Sequence, residues 1–345
     1  MDIGKLTTYL SGNKFPSYRL PQIYQAVFRD FAASWLEITT LPLALRQSLS
    51  SGLPFLSFSL QNLQSSSDQS AHKALLTLQD QLQIETVLLS PKPGLWTSCL
   101  STQVGCAMGC TFCATGKMGL QRNLTAEEIT DQVLFWQQYL HLHYPQNHLQ
   151  NIVLMGMGEP FANLEQVFQA LKEFLNPLTY HLGQRHLSVS TCGFLPGLDQ
   201  LAMKYPQVNL AVSLHAPTDL LRNQLMPPNQ SSPLSFLVIS LKKYLSLTNR
   251  KIFIEYLLLN SINDSVSHAQ ELARLLGQIG PRSLLHVNLI TCNPTGQQFK
   301  PSPKTVLYQF KQVLEDAGWP CTIRKSVGAD ISGACGQLAT PALIH

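Results

Sequence analysis

The stretch VGCAMGCTFCATGKMG, residues 104–119, carries three cysteines, Cys106, Cys110 and Cys113, in the spacing C-x3-C-x2-C. A cubane iron–sulfur cluster has four irons, and proteins usually hold it through four thiolates. Three thiolates leave one iron without a protein ligand and open to a small molecule, so the missing fourth ligand marks a substrate position. Phe112, just before the last cysteine, is placed to shield one face of such a cluster. Two readings compete: a zinc site, and three cysteines buried in a core. Structural zinc favours paired C-x2-C knuckles, and the chain holds no second pair. Buried structural cysteines seldom crowd into so short a run.

Around this stretch the chain alternates two periodicities. Six short apolar runs read as strands: CLSTQ (99–103), NIVLM (151–155), LSVST (187–191), NLAVSL (209–214), IFIEYL (252–257) and LHVNLI (285–290). Helical patterns lie between them. TAEEITDQVLFWQQYLHL (125–142) opens with Thr125 and Glu128 at capping-box spacing, and others fall near 164–175, 196–204, 233–247, 265–278 and 303–317. This alternation predicts an α/β fold with a parallel sheet and right-handed crossovers. Six units suit a partial (β/α)6 barrel better than two domains, with functional groups at the C-terminal ends of the strands. Upstream, 18–28 and 41–49 have helical spacing, and SSSDQS (65–70) is a turn-rich break that predicts a boundary. Residues 73–90 read as two strands around a turn near Asp80 and Gln81. The expected organisation is a small helical accessory domain over 1–70, a β-hairpin connector over 71–98, the barrel over 99–326 and a cysteine-bearing C-terminal extension over 327–345.

Composition bounds the function. The 345 residues suffice for one large core with small additions. A net charge of +4 excludes a uniformly polybasic nucleic-acid binder but permits a local basic face. No apolar run reaches the roughly 18 residues of a membrane helix. The N-terminal MDIGKLTTYLSGNK lacks a signal-peptide core. A soluble, cytoplasmic protein with no membrane partner is expected. In such a chain, clustered cysteines point to metal or catalysis rather than to structural disulfides.

The C-x3-C-x2-C spacing resembles the signature of the radical S-adenosylmethionine (SAM) superfamily. The resemblance implies one [4Fe-4S] cluster held by Cys106, Cys110 and Cys113, with the amino and carboxylate groups of SAM on the open iron. One-electron transfer then cleaves SAM to a 5′-deoxyadenosyl radical. In NIVLMGMGEP (151–160), Gly156 and Gly158 let the backbone approach a ligand and Glu159 offers an acceptor to an ammonium group. Alone, this is also an ordinary strand–helix turn. After the second barrel strand it resembles the superfamily loop that holds the SAM amino group, which assigns Gly158 and Glu159 to SAM. Ser190, Ser213, Leu214, His215 and Asn293 lie at predicted strand ends. Singly each is a common turn or edge residue; together they are expected to line one mouth and bind SAM.

Nearly the whole chain, in order, resembles the RlmN/Cfr family of radical SAM RNA adenosine C-methyltransferases. The motifs are ETV (85–87), SCLSTQVGCAMGCTFCATG (98–116), RNLT (122–125), GMGEP (156–160), VSTCG (189–193), VSLHAP (212–217), EYLLLNSINDS (255–265), HVNLITCNP (286–294) and IRKSVGADISGACGQLA (323–339). The ACGQL around Cys335, and Cys99 seven residues before the cluster motif, are far more specific than C-x3-C-x2-C alone. The family implies that Cys335 takes a methyl group from one SAM, and that a second SAM supplies a radical that removes hydrogen from the S-methyl carbon. The methylene radical adds to an adenine ring carbon, Glu85 takes the ring proton, and Cys99 attacks the Cys335 sulfur, forming a disulfide and releasing product. Read on its own, Glu85 is also an exposed strand-edge carboxylate. The physical motive is that adenine C2 and C8 are electron-poor, so polar methyl transfer fails where a carbon radical can add. The base must be exposed, so an RNA loop or splayed nucleotide is the expected substrate.

RlmN-like members methylate C2 of an adenosine in the peptidyl-transferase region of 23S rRNA and can also modify a tRNA adenosine. Cfr-like members methylate C8 of the same rRNA adenosine and confer antibiotic resistance. C2 is the expected target, with C8 as the alternative: GMGEP leans to RlmN-like sequences, and residues 114–136 lean to Cfr-like ones. The chain departs from common RlmN-like patterns, DIDAACGQL and NLIPxNP, at ADISGACGQL and NLITCNP. Cys192 and Cys292 read as small apolar fillers. Lys14, Arg19, Arg29 and the QRH run at 184–186 are candidate RNA contacts, with a solvated face as the plain alternative. A monomer served by an external electron donor such as flavodoxin or ferredoxin is expected. Readings from other classes are an iron–sulfur electron carrier, which needs neither the GMGE loop nor six βα units, and a radical SAM enzyme acting on a protein or metabolite, which needs neither Cys99 nor Cys335.

Overall fold

The computed structural model describes residues 1, 3–293, 295 and 299–339. Pro294 of the HVNLITCNP motif and residues 340–345 of the expected extension lie outside them.

Three helices open the chain: α1 (Ile3–Gly12), α2 (Arg19–Phe28) and α3 (Leu43–Gly52). Strands β1 (Phe58–Ser65), β2 (Ala71–Leu78), β3 (Gln83–Lys92) and β4 (Leu95–Cys99) follow as an antiparallel meander. A small hairpin of β5 (Gln103–Gly105) and β6 (Leu120–Asn123) brackets the cysteine loop and its short helix α4 (Ala114–Lys117). Then come α5 (Ala126–His143), β7 (Leu149–Leu154), α6 (Leu164–Leu175), β8 (Leu187–Thr191), α7 (Leu195–Lys204) and β9 (Asn209–Ser213). The chain continues with α8 (Asp219–Leu225), α9 (Leu234–Thr248), β10 (Ile252–Leu258), α10 (Val266–Ile279), β11 (Leu285–Thr291), α11 (Lys304–Asp316) and β12 (Cys321–Arg324). One ten-stranded sheet runs β1-β2-β3-β4-β7-β8-β9-β10-β11-β12, and the strands from β4 onward are parallel. This is the expected α/β architecture, a parallel barrel sheet preceded by a helical region.

Four expectations change in detail. The turn at 65–70 joins β1 to β2 within the sheet, so it is no boundary. β1 was not anticipated because it is an edge strand whose FSLQNLQS is largely exposed and lacks apolar alternation. The first parallel strand ends at Cys99 instead of starting there, and β12 adds a seventh parallel strand at CTIR, too short and too polar to read as one.

Strands buried on both faces read as continuous apolar runs. Here the parallel strands alternate instead. Leu187, Val189, Leu210, Val212, Ile252, Ile254, Leu285 and Val287 are fully covered by the helical layer. Their neighbours on the opposite face include Ser188, Ser190, Ser213, Glu255 and Asn288, which a two-residue period directs to the inside of the barrel. The lumen is therefore polar and its wall is held from outside. The capping box of α5 forms as the spacing predicts: Thr125 Oγ1 accepts from Glu128 N at 3.2 Å, and Glu128 Oε2 accepts from Thr125 N at 2.9 Å.

The N-terminal helices share the barrel's hydrophobic core, with Leu6, Leu10, Ile23, Val27 and Leu45 in the cluster that holds Val133 and Trp136 of α5. Arg29, a candidate RNA contact, is a bolt instead: its guanidinium donates to the carbonyls of Thr179 at 2.5 Å and Pro177 at 2.7 Å. The QRH run lies just before β8, at the end of the barrel opposite the mouth, where Arg185 and His186 bond to Gln207 and Asn151.

Between β2 and α5, His72 is fully buried. Its Nδ1 pairs with Ser65 Oγ at 2.8 Å, its Nε2 with Tyr144 OH at 3.1 Å, and its ring stacks on Trp96. Burial first, and then His143, holds it below the ordinary histidine value; His286 and His215 are also depressed, by burial first. Above about pH 6.5 these rings are neutral folded or unfolded. Below it the unfolded chain takes up protons that the folded chain refuses, so stability falls as the pH falls. Chemical denaturation between pH 7.5 and 5.5 should show little change above about pH 6.5 and then a loss that steepens toward at most about 1.4 kcal/mol per pH unit for each such histidine, with a shallower fall for His72→Gln. A stability that rises toward pH 5.5 contradicts this reading.

Candidate active site

The site grows from a crossing of two chain segments at the C-terminal end of the sheet. After β4, residues Leu100–Gln103 leave the sheet and run against the turn that follows β7. Gly156 N donates to Leu100 O at 2.9 Å, and Thr102 N to Met157 O at 2.8 Å. A Cβ on Gly156 would lie 2.7 Å from the Leu100 carbonyl. Gly158 has φ +102°, and a Cβ there would meet Gln103 Cβ at 2.6 Å. The glycines of GMGEP are thus required first by this crossing. Gln103 Oε1 accepts from Glu159 N at 2.8 Å, and Asn163 Nδ2 donates to Thr102 O at 2.8 Å. The start of the cysteine loop and Glu159 are fixed to each other.

The loop itself is short and tied at both ends. Cys106 N donates to Gly119 O at 2.9 Å, Cys113 N to Cys110 O at 3.1 Å, and Thr111 N to Leu225 O at the end of α8 at 3.0 Å. Burial pushes the Cys106 thiol up to about 11, with Cys113 and Glu159 adding to the shift. Burial raises Cys110 further, helped by Cys113, Cys106 and Glu159. The three thiols and Glu159 therefore sit within electrostatic reach of one another. Among the described residues no three His, Cys, Asp or Glu side chains are arranged to hold a metal ion. Ligands of one zinc must crowd around it, whereas cluster thiolates stand apart on separate irons. Three thiols on one short loop tied at both ends, with no fourth cysteine beside them in sequence, fit a cluster held by three thiolates. Phe112, expected over a cluster face, packs edge-on against the His215 ring at 5.0 Å.

Glu159 is 4% exposed. Its Oε2 accepts from Cys192 N at 2.8 Å and its Oε1 from Phe161 N at 3.1 Å. Burial raises its carboxyl, and these bonds oppose the rise. Cys192 is thus no plain apolar filler: it stands in the wall of the site, bonded to Glu159 through its backbone and its thiol. Cys292 does pack as a small apolar side chain, among Ala216, Leu225, Met226, Leu257 and Leu259. Ser190 and Ser213 are half-buried on the lumen face of β8 and β9, and Leu214 is buried behind them. His215 has φ +57°, accepts from Leu257 N at its Nδ1 at 3.0 Å, and is held neutral at about 3 by burial and then Arg222. Asn293 reaches the C-terminal segment, with Nδ2 donating to Cys335 O at 3.2 Å.

That segment folds back over the mouth. Ala114 N donates to Gly336 O at 2.8 Å and Thr115 Oγ1 to Leu338 O at 2.6 Å, so α4 and the Cys335 loop are joined. Cys335 is exposed, and protein lies close around it: surrounding atoms raise its thiol, Glu255 and Cys113 add to this, and Arg324 opposes. Cys99, buried at the end of β4, is raised by burial and then by Cys335. All eight cysteines are free, so the Cys99–Cys335 disulfide is not formed. Glu85 is 3% exposed, which removes the reading of an exposed strand-edge carboxylate. It pairs with Lys73 Nζ at 2.9 Å and accepts from Ala339 N at 2.9 Å. Burial raises its carboxyl, while Lys73 and Ala339 pull it down.

Sequence reasoning missed Arg222, Lys73 and Glu255. Arg222 is 2% exposed and donates to the carbonyls of Cys192 at 2.6 Å, Leu214 at 3.1 Å and Ser213 at 3.2 Å, and to Asn229 Oδ1 at 2.6 Å. A lone arginine on a short helix carries no pattern. Glu255, bonded to Asn288 Nδ2 at 2.8 Å, was visible only as a charge inside an apolar strand.

The radical SAM superfamily model matches residues 100–265. A probable dual-specificity RNA methyltransferase RlmN of Chloroflexus aurantiacus is 41% identical over 98% of this chain and 91% of its own length. A ribosomal RNA large subunit methyltransferase Cfr of Bacillus velezensis is 39% identical over 97% and 95%. The crystal structure of a radical SAM methyltransferase from Sphaerobacter thermophilus superposes with a TM-score of 0.92 at 40% identity, covering 98% of this chain and 97% of that one. With the cysteine loop, the Glu159 turn and the folded-back Cys335 in place, the chain belongs to the RlmN/Cfr family of radical SAM RNA methyltransferases.

Proposed function

We propose that this enzyme methylates C2 of an adenosine in the peptidyl-transferase region of 23S rRNA, with a tRNA adenosine as a second substrate, through a methyl group carried on Cys335. The observation that supports this most is the folded-back tail, which brings Cys335 within electrostatic reach of both Cys99 and the cluster ligand Cys113. When bound, the cluster and SAM supply the one-electron chemistry that removes hydrogen from a methyl group; two SAM molecules serve each turnover, one as methyl donor and one as radical source. Cys106, Cys110 and Cys113 hold the cluster. Gly158, Glu159, Ser190, Ser213, Leu214, His215 and Asn293 form the SAM pocket, with the Glu159 carboxylate facing the ammonium.

Cys335 rests as a neutral thiol because its surroundings raise it, so methylation must carry its proton away. Cys99 is neutral for the same reason. Its attack on the Cys335 sulfur breaks the bond to carbon, makes the disulfide and frees the RNA. Glu85 takes the ring proton. An external flavodoxin or ferredoxin supplies electrons, and the enzyme works as a cytoplasmic monomer. No helix among the described residues is long and apolar enough to cross a membrane.

A second reading, C8 methylation, is favoured by residues 114–136, which resemble Cfr-like sequences, whereas Pro160 after Glu159 favours C2. Expression in a host lacking its own family member, followed by digestion of 23S rRNA and mass spectrometry, separates the two: 2-methyladenosine supports the first reading and 8-methyladenosine the second. Cys335→Ala should abolish either product. Cys99→Ala should lower free product by about a hundredfold or more and leave RNA covalently attached to the protein in denaturing gels. If Cys99→Ala turns over normally with no attached RNA, the resolving role is wrong.

A further inference from the structure

Cys335 sits on a loop whose two flanks meet the same ion pair. Lys73 on β2 reaches Glu85 Oε1 on β3 at 2.9 Å, and its Nζ also donates to the carbonyl of Ser332 at 3.4 Å. The other Glu85 oxygen accepts from the backbone N–H of Ala339 at 2.9 Å. Ser332 precedes Cys335 by three residues and Ala339 follows it by four. The pair itself is rigidly mounted. Glu85 and Leu75 are register partners across β2 and β3, the Glu85 carbonyl accepts from Ser101 Oγ at 2.5 Å, and Ser101 Oγ in turn accepts from Met157 N at 2.9 Å. The tail is thus referenced, through one carboxylate, to the crossing that also sets Glu159.

We propose that the Lys73–Glu85 ion pair is a latch that positions the Cys335 loop across the mouth, and that Lys73 is a positioning residue for the methyl-carrying cysteine. A bond from a backbone N–H to an ionised carboxylate is stronger than one to a neutral acid. Glu85 is buried, and burial favours its neutral form. Lys73 keeps the carboxylate charged, and thereby keeps the Ala339 contact tight, while its own remaining donor holds Ser332. The neighbouring fastenings hold one side or one point: Asp330 Oδ2 accepts from Ser67 N at 2.9 Å before the cysteine, Asn293 holds the Cys335 carbonyl, and α4 holds Gly336 and Leu338 after it. The ion pair reaches both sides of the cysteine. The latch also occupies both oxygens of Glu85. The ion pair and the Ala339 bond hold Glu85 as a carboxylate, the form that can receive a proton from a base in the lumen.

The placement of the loop stands apart from the chemistry, while its meaning for turnover rests on the proposed role of Cys335. Hydrogen–deuterium exchange on the holoenzyme reads the placement directly. Lys73→Met should speed exchange of the peptide spanning 332–339 by about tenfold or more, with peptides from β8 to β11 unchanged, and Lys73→Arg should restore protection. Ala339→Pro removes the donor to Glu85 while leaving the ion pair and the core intact, and should speed exchange over 332–338 in the same way. Unchanged tail exchange in both Lys73→Met and Ala339→Pro overturns the latch. The methyladenosine yield of the same proteins separates the two proposals. A tail that loosens while the yield drops supports both; a tail that loosens with no loss of yield overturns Lys73 as a positioning residue, and a methyladenosine yield that survives Cys335→Ala sinks the methyl-carrier role separately.

Discussion

The structure depends on one crossing, where Leu100–Gln103 passes against Gly156–Gly158 at the end of the sheet. Two parallel strands end side by side, and each sends out a loop. Without side chains at 156 and 158 the loops approach closely enough to bond through their backbones. One then carries the three cysteines and the other carries Glu159. Their relative position is therefore set by main-chain hydrogen bonds, a more rigid reference than side-chain packing, and Asn163 and Gln103 brace it from either side. A group bound by three thiolates and an ammonium held by Glu159 would be placed by the same few bonds.

The electrostatics of the site follow from where these loops lie. The thiols of Cys99, Cys106 and Cys110 and the carboxyls of Glu85 and Glu159 are raised, with burial as the first cause, and the exposed Cys335 thiol is raised by the protein atoms close around it, so the resting apoprotein favours neutral groups. Ionising any one raises the cost of ionising its neighbours. Arg222 is the fixed cation beside them, and its bonded partners are three carbonyls and an amide oxygen. A buried guanidinium without a bonded carboxylate is costly in isolation. The Arg222 charge is offset by Asp219, reached through Asn229, and by the neighbouring Cys192 and Cys110 when they ionise.

Much of this was legible in the sequence. The barrel helices and most of its strands follow from periodicity, because each strand has one face against helices and one against a polar lumen, a period-two signal. The cysteine loop and the Glu159 turn were readable from spacing. What escaped has physical reasons. β1 and the short β12 are edge strands whose polar residues face solvent, so nothing in their pattern marks burial. Cys192 looked inert because its importance comes from the backbone N–H it gives to Glu159. Lys73 and Arg222 matter through contacts that only the fold makes: Lys73 meets Glu85 across the β2–β3 hairpin, and Arg222 on α8 reaches the Cys192 carbonyl from 30 residues away. Arg29 misled in the opposite direction, since a basic residue near the surface serves as a bolt to the Thr179 loop.

The central claim is that Cys335 carries the transferred carbon. The most direct measurement is the mass of the Cys335 peptide in holoenzyme purified without oxygen from cells fed methyl-labelled methionine. The account predicts that this peptide, and not the peptides bearing Cys192 or Cys292, gains one labelled methyl group, and that the label passes to adenosine when RNA is added. A Cys335 peptide that never carries the label, in protein that still methylates RNA, contradicts it.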